Sequence, residues 1–174
     1  MQSRIVQMFI TSDAGEPMSE VREARALKGL GLEGDRYAGH RGAFSKSGRK
    51  VKRQVTLIEQ EAIDRAGGKF LASETRRNIV VSCFPLNRLV GKEFIVGESL
   101  MRGVELCDPC QRPSKLCGKD GFPELFAGFG GLRAEITIGG TIKVGDGLIY
   151  ERLCCLCNSV QPLTHDCPEL YTET

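Results

Sequence analysis

EFIVGESLMRGVEL, residues 93–106, decides the fold. Residues 93–96 and 100–106 are apolar-rich strands joined at Gly97-Glu98, a two-residue turn of the kind that closes an antiparallel hairpin. Strict alternation breaks near Gly103, where a residue without a side chain marks a bulge or a close backbone approach. The hairpin leads straight into Cys107, so it delivers a thiol to a strand end. The same pattern recurs on either side, with β-branched runs at residues 5–10, 55–58, 78–82, 133–138, and 141–144 with 148–150, punctuated by a total of 21 glycines. Many short strands with tight turns predict a mainly β chain closed as a barrel. Helices are few. Residues 59–66 carry good helix formers and stop at Gly67-Gly68. Residues 19–27 read as helix by propensity, with Val21, Ala24 and Leu27 on one side. Residues 123–126 predict a short helix after a turn at Gly121.

With 174 residues and 41% hydrophobic content, the chain fills one core and is short for two. Residues 1–150 are read as that domain, and residues 151–174 as an irregular, cysteine-rich tail. Lys and Arg number 24 against 22 Asp and Glu, so no global field draws the protein to nucleic acid or a membrane. Any anion site must be local. The opening MQSRIVQMFI lacks the apolar run of a signal peptide or a membrane span, and the expected setting is a reducing cytoplasm. There the eight cysteines stay mostly as thiols, and paired spacings point to metal or chemistry.

Four constellations carry candidate chemistry. In GLGLEGDRY, residues 29–37, glycines turn the backbone and place Asp35 beside Arg36; an ion-paired turn is the reading favoured by spacing, since the glycines fit neither a Walker loop nor a dinucleotide fingerprint. In ETRRNIVV, residues 74–81, Arg76, Arg77 and Asn78 put planar donors at a strand entrance, suited to a phosphate or a pterin's polar edge and equally to a surface rim paired with Glu74. In Cys107-Asp108-Pro109-Cys110, proline stiffens a turn between two thiols. They can act as reactive sulfur, a soft-metal ligand or small packing groups, and Arg112 nearby favours a thiolate. Finally, Cys154 and Cys157 form a second CxxC. With Cys107 and Cys110 they make a nominal zinc set, with His165 and Cys167 as spare ligands, although the intervening stretch is far longer than a zinc ribbon's. The basic run SKSGRKVKR, residues 45–53, reads as a solvated loop, with phosphate contact as the alternative.

From about Met18 to Leu148 the chain resembles the MOSC domain, the module of the carboxy-terminal part of molybdenum cofactor sulfurases that also occurs as stand-alone bacterial proteins. The resemblance rests on GLEGDRY (31–37), RQVTLIEQEAI (53–63), ETRRNIVV (74–81), LNRLVGKEFIVGE (86–98), GVELCDPC (103–110) and GLRAEITIGGTIKVGD (131–146), in that order. It departs from the family where a histidine-bearing stretch usually follows the cysteine pair; here the sequence is QRPSKLCG.

This resemblance implies a β-barrel with a few short peripheral helices, and strand in place of helix at residues 19–27. It implies that Cys110 is the functional thiol, either ligating the molybdenum of a molybdopterin-type cofactor or carrying sulfur as a persulfide. Arg76 and Asn78 match an Arg-x-Asn pattern that contacts the cofactor in one branch, and Arg77 and Arg36 are the further expected cofactor contacts. The implied activities are reduction of N-hydroxylated small molecules, needing an electron-donor protein, or sulfur transfer fed by a pyridoxal-phosphate cysteine desulfurase. The rival of another class is a zinc-structured nucleic-acid-binding module built on Cys107, Cys110, Cys154 and Cys157.

Overall fold

The computed structural model describes residues 3–42, 53–153 and 160–162. Its strands are β1 (Arg4–Ile10), β2 (Ser19–Glu20), β3 (Glu23–Leu27), β4 (Gly31–Leu32), β5 (Val55–Glu59), β6 (Ile79–Ser82), β7 (Glu93–Val96), β8 (Ser99–Leu106), β9 (Leu132–Ile138), β10 (Gly140–Lys143), β11 (Leu148–Ile149), β12 (Glu151–Leu153) and β13 (Val160–Pro162). Three short helices join them: α1 (Gln60–Arg65), α2 (Gln111–Cys117) and α3 (Phe122–Leu125). None of the helices among the described residues is long and apolar enough to cross a membrane.

The mainly β class is as expected. Eight strands form one sheet in the order β11-β7-β8-β9-β5-β6-β1-β2, all antiparallel except β5 beside β6. The barrel is not closed by a continuous ladder. At the seam, β1 meets the approach to β11 through a single bridge, Arg4 to Gly147, helped by the Ile5 amide donating to the Asp146 carbonyl at 2.8 Å and the Ser3 hydroxyl donating to the Leu148 carbonyl at 2.7 Å. Closure is short because β11 spans two residues, too few to pair β7 and β1 along their length.

The hairpin at residues 93–106 forms as its sequence requires. Val96 faces Ser99 across the Gly97-Glu98 turn, and the ladder slips between Gly103 and Glu105. At Gly103 a Cβ would lie 2.1 Å from the Leu89 carbonyl oxygen, so the neighbouring chain occupies the space of a side chain.

Propensity misreads residues 19–27, which form strands β2 and β3 with a two-residue break between them. Ala24 and Ala26 point into the core while Glu23 and Arg25 stay out, and β3 pairs with β10 along four residues. Period-two burial and ladder bonds outweigh the helix preference of Ala, Glu and Arg, which amounts to a few tenths of a kcal/mol per residue. The strands expected at 141–144 and 148–150 exist but part company, β10 pairing with β3 and β11 with β7. Helix α2 carried no clear sequence signal. In the tail, β12 and β13 pair antiparallel.

Two apolar clusters divide the interior. Leu57, Ile79 and Val81 turn inward with Phe94, Met101 and Leu132, whereas Ile58 and Val80, one residue out of phase, face the helices. There Ala62 and Ile63 of α1 meet Phe70, Phe122 and Phe126, whose rings pack edge-on or stacked with centroids 4.3–6.0 Å apart. This second cluster anchors α2 and α3. It thereby fixes the segment that follows Cys110.

Candidate functional site

The thiol turn is held by backbone packing. The Cys107 amide donates to the Gly131 carbonyl at 2.7 Å, and a Cβ on Gly130 would fall 1.9 Å from the Cys107 carbonyl oxygen. Only glycine lets the two chains approach so closely. Cys107 is buried, Cys110 is exposed, and both open onto one cleft. The cleft encloses about 580 Å³, its mouth included. Six arginines line it: Arg36, Arg53, Arg76, Arg77, Arg112 and Arg133, together with Asp108, Tyr37 and Thr56.

A buried polar network supports this wall. The Asp35 carboxylate accepts from the Thr11 amide at 3.2 Å, the Tyr37 amide at 3.0 Å, the Asn78 side-chain amide at 3.0 Å and Arg36 Nη1 at 3.2 Å. Arg36 also donates to the Arg76 carbonyl at 3.1 Å and lies 4.5 Å from the Tyr37 ring centroid. The expectation of an ion-paired turn at Asp35-Arg36 therefore holds, and the pair is almost wholly buried. Arg36 nonetheless shows on the cleft wall.

Asn78 does not line the cleft. Its side chain is fully buried, donating to Asp35 and to the Phe9 carbonyl at 3.1 Å while its oxygen accepts from the Thr56 amide at 3.2 Å and the Thr56 hydroxyl at 2.9 Å. With both amide hydrogens and the oxygen engaged, it positions Thr56 and Asp35 behind the wall.

Arg76 and Arg77 do reach the cleft. Arg76 has a left-handed backbone, φ 65°, and its guanidinium donates to the Glu16 carbonyl. Burial, then the positive charges of Arg36 and Arg112, push its pKa down to about 10, against the pull of Tyr37 and Asp35. Arg77 is fastened by bonds to the carbonyls of Gly130 at 2.7 Å and Thr75 at 3.1 Å. Burial and then Arg133 lower the pKa of Arg53, also on the cleft. Burial acts to lower Arg133 too, but Cys107 and the hydrogen-bonded Glu105 outweigh it and the value ends raised.

Arg53, Arg112 and Arg133 are the cleft arginines outside the cofactor contacts expected from sequence. Arg112 follows the thiols closely in sequence and Arg53 ends a basic loop; Arg133 sits in an ordinary strand pattern that gives no signal. Register brings it in, since β9 sets Arg133 opposite both Thr56 and Glu105.

The donor set suits a molybdopterin-type cofactor in kind. Guanidinium groups can grip a phosphate, and an exposed thiol is a soft donor for a metal. Among the described residues no three His, Cys, Asp or Glu side chains gather as a metal cluster. Cys154, Cys157, His165 and Cys167 of the zinc reading lie outside the described residues, as does the basic run up to Lys52.

No protein-family model matches the chain, and neither does any curated protein sequence. Solved structures do. The crystal structure of the YuaD protein from Bacillus subtilis is 19% identical, with a TM-score of 0.70 over 85% of this chain and 94% of that one. YiiM from Escherichia coli is 19% identical, with a TM-score of 0.60 over 84% and 68%. YiiM from Geobacillus stearothermophilus is 15% identical, with a TM-score of 0.62 over 90% and 79%. The chain thus shares the fold of YuaD and YiiM, a MOSC-like fold.

Proposed function

We propose that the protein is a MOSC-domain protein of the cytoplasm that binds a molybdopterin-type cofactor through Cys110 and reduces N-hydroxylated small molecules. The observation that carries this reading is the shared cleft: an exposed thiol opens onto a wall of six guanidinium groups. Arg76 and Arg77 hold the cofactor's phosphate, with Arg36 braced behind them by Asp35. Asn78 serves the cofactor indirectly, by fixing the Asp35 network. When bound, the cofactor supplies a two-electron centre. Electrons arrive from a partner protein, because the sequence has no flavin, haem or iron–sulfur motif of its own.

The exposure of Cys110 supports a second reading. A thiol at the cleft mouth is open to another protein, so it can receive sulfane sulfur from a pyridoxal-phosphate cysteine desulfurase and carry it as a persulfide.

Elemental analysis for molybdenum and zinc separates these. Protein from a host that makes molybdenum cofactor should carry molybdenum near one per chain, and Cys110→Ser should lose it. Retention of molybdenum in the variant would remove Cys110 from the metal. A wild type without either metal, but with persulfide at Cys110 after incubation with a desulfurase, would favour the carrier. Stoichiometric zinc without molybdenum would favour the structural module.

A further inference from the structure

Several of the cleft arginines are already fastened by protein groups. Arg36 is bonded to Asp35 and to the Arg76 carbonyl, Arg77 spends two of its nitrogens on the carbonyls of Gly130 and Thr75, and Arg133 is ion-paired with Glu105. Arg112 differs from these. Half-buried on the cleft, it makes no hydrogen bond or ion pair among the described residues. A guanidinium carries five N–H donors, and here their acceptors must come from water or from a ligand. The helix that presents it is pinned: Pro113 and Ser114 of α2 are buried, and the Ser114 hydroxyl accepts from the Phe122 amide at 3.2 Å. Arg112 and Arg76 meet the same short piece of backbone. Arg76 donates to the Glu16 carbonyl, and a Cβ on Gly15, the residue before, would lie 3.9 Å from Arg112 Nη2. Neither cation finds a carboxylate there. Asp13 pairs with Arg41 at 3.6 Å, Glu16 meets Arg76 through its carbonyl, and Asp108 on the cleft is ion-paired with neither.

We propose that Arg112 and Arg76 clamp one phosphate monoester over the Gly15-Glu16 backbone, Arg76 exchanging the Glu16 carbonyl for a phosphate oxygen. The inference rests on the reading that Arg76 holds the cofactor's phosphate, and it adds Arg112 to the groups on that phosphate. The chemistry suits the ligand: a phosphate dianion takes parallel N–H bonds from two guanidinium forks and supplies the charge that both lack. Glycine at position 15, with φ 113°, leaves bare backbone beside Arg112. Arg112 also ties the anion to the thiol. It follows Cys110 by two residues, so their α-carbons are at most about 7 Å apart, and a small molecule held by Arg112 reaches the sulfur.

Full-length protein labelled with nitrogen-15, from a host unable to make molybdenum cofactor, tests the clamp by titration with inorganic phosphate. The Nε–Hε resonances of Arg76 and Arg112 and the backbone amides of Gly15 and Glu16 should move along one binding curve. Arg112→Met and Arg76→Met should each weaken that curve by about tenfold or more, since one charged hydrogen-bonding fork is worth about that much. Arg88→Met, which removes an exposed arginine that does not line the cleft, should leave it unchanged. An amide spectrum otherwise like the wild type's shows that each variant is folded. Phosphate binding by Arg112→Met equal to the wild type's, or separate curves for Arg76 and Arg112, would overturn the proposal. So would an equal loss in Arg88→Met, which would mean that net charge alone attracts the anion. Molybdenum content separates the clamp from the reading beneath it. In a host that makes the cofactor, Arg112→Met should carry less molybdenum than the wild type; undiminished molybdenum would overturn the clamp and leave the cofactor reading standing. A wild type that binds phosphate through both arginines yet carries no molybdenum would keep the clamp and sink the cofactor reading.

Discussion

Replacing Asn78 with alanine should damage the fold without touching a ligand. The side chain makes four buried hydrogen bonds, to the Phe9 carbonyl, the Asp35 carboxylate, and the amide and hydroxyl of Thr56, at 2.9–3.2 Å. Each is worth about 1 kcal/mol net, and a buried group left without a partner costs about 1–3 kcal/mol. Asp35 keeps the Thr11 amide, the Tyr37 amide and Arg36, and Thr56 Oγ1 still accepts from the Asn78 amide at 3.1 Å, so part of the loss is absorbed. The expected cost is about 3–5 kcal/mol, at the severe end for a single substitution. Urea unfolding followed by far-ultraviolet circular dichroism measures it, the chain having no tryptophan to serve as a fluorescent probe. The midpoint should fall with the slope unchanged, because the surface exposed on unfolding is the same. A loss below about 1 kcal/mol would refute the argument that Asn78 holds the network. It would return Asn78 to direct ligand contact, where an unliganded protein barely notices its removal.

The left-handed backbone of Arg76 sets up a contrast between two variants: Arg76→Gly should be more stable than Arg76→Ala by about 1 kcal/mol in thermal unfolding, and both should lose phosphate affinity. Equal stabilities would mean that residue 76 bears no strain. At Glu74, burial raises the pKa but the Lys119 ammonium and the Leu71 amide outweigh it, so the folded value lies below the ordinary 4.5. The carboxylate therefore contributes stability above that value and loses it as pH falls through the folded one. Glu74→Gln should lower stability on the order of 0.5 kcal/mol at neutral pH, with the gap to the wild type closing below about pH 4.5; a gap constant from pH 7 to 3 would show that the pair adds nothing through charge. Gly130→Ala should displace the Cys107 carbonyl and slow or abolish labelling of Cys110 by a maleimide-sized anionic reagent, and a labelling rate equal to the wild type's would show that the glycine contact does not set the turn.

The strand inventory was legible because it depends on local pattern. Alternation and glycine spacing name the hairpin at residues 93–106 without any knowledge of its neighbours. Residues 19–27 misled because EARAL satisfies a helix, and only the partner strand β10, more than a hundred residues later, shows that Ala24 and Ala26 share a face. The site divides in the same way. Cys110, Arg76 and Arg77 announce themselves by adjacency in sequence, whereas Arg133 enters the cleft through a register set by β5 and β8, which no local pattern encodes. Asn78 lies behind the cleft wall and does not line it: its position before a strand is visible in sequence, but the direction of its amide depends on Asp35, far earlier in the chain.

The single bridge at the seam has a topological meaning. Ser3 and Leu148 are hydrogen-bonded, so the path from β1 to β11 leaves and returns at one point, and the two ends of that path meet across the gap of an open sheet. Ends that meet leave the path no compulsory starting point. The break can be moved by linking residue 150 to residue 3 through a few flexible residues and opening the chain at the Gly67-Gly68 turn, and the order of strands in space stays the same. The cleft is indifferent to such a cut, because its residues come from segments that meet in space and not from the order in which the chain is read.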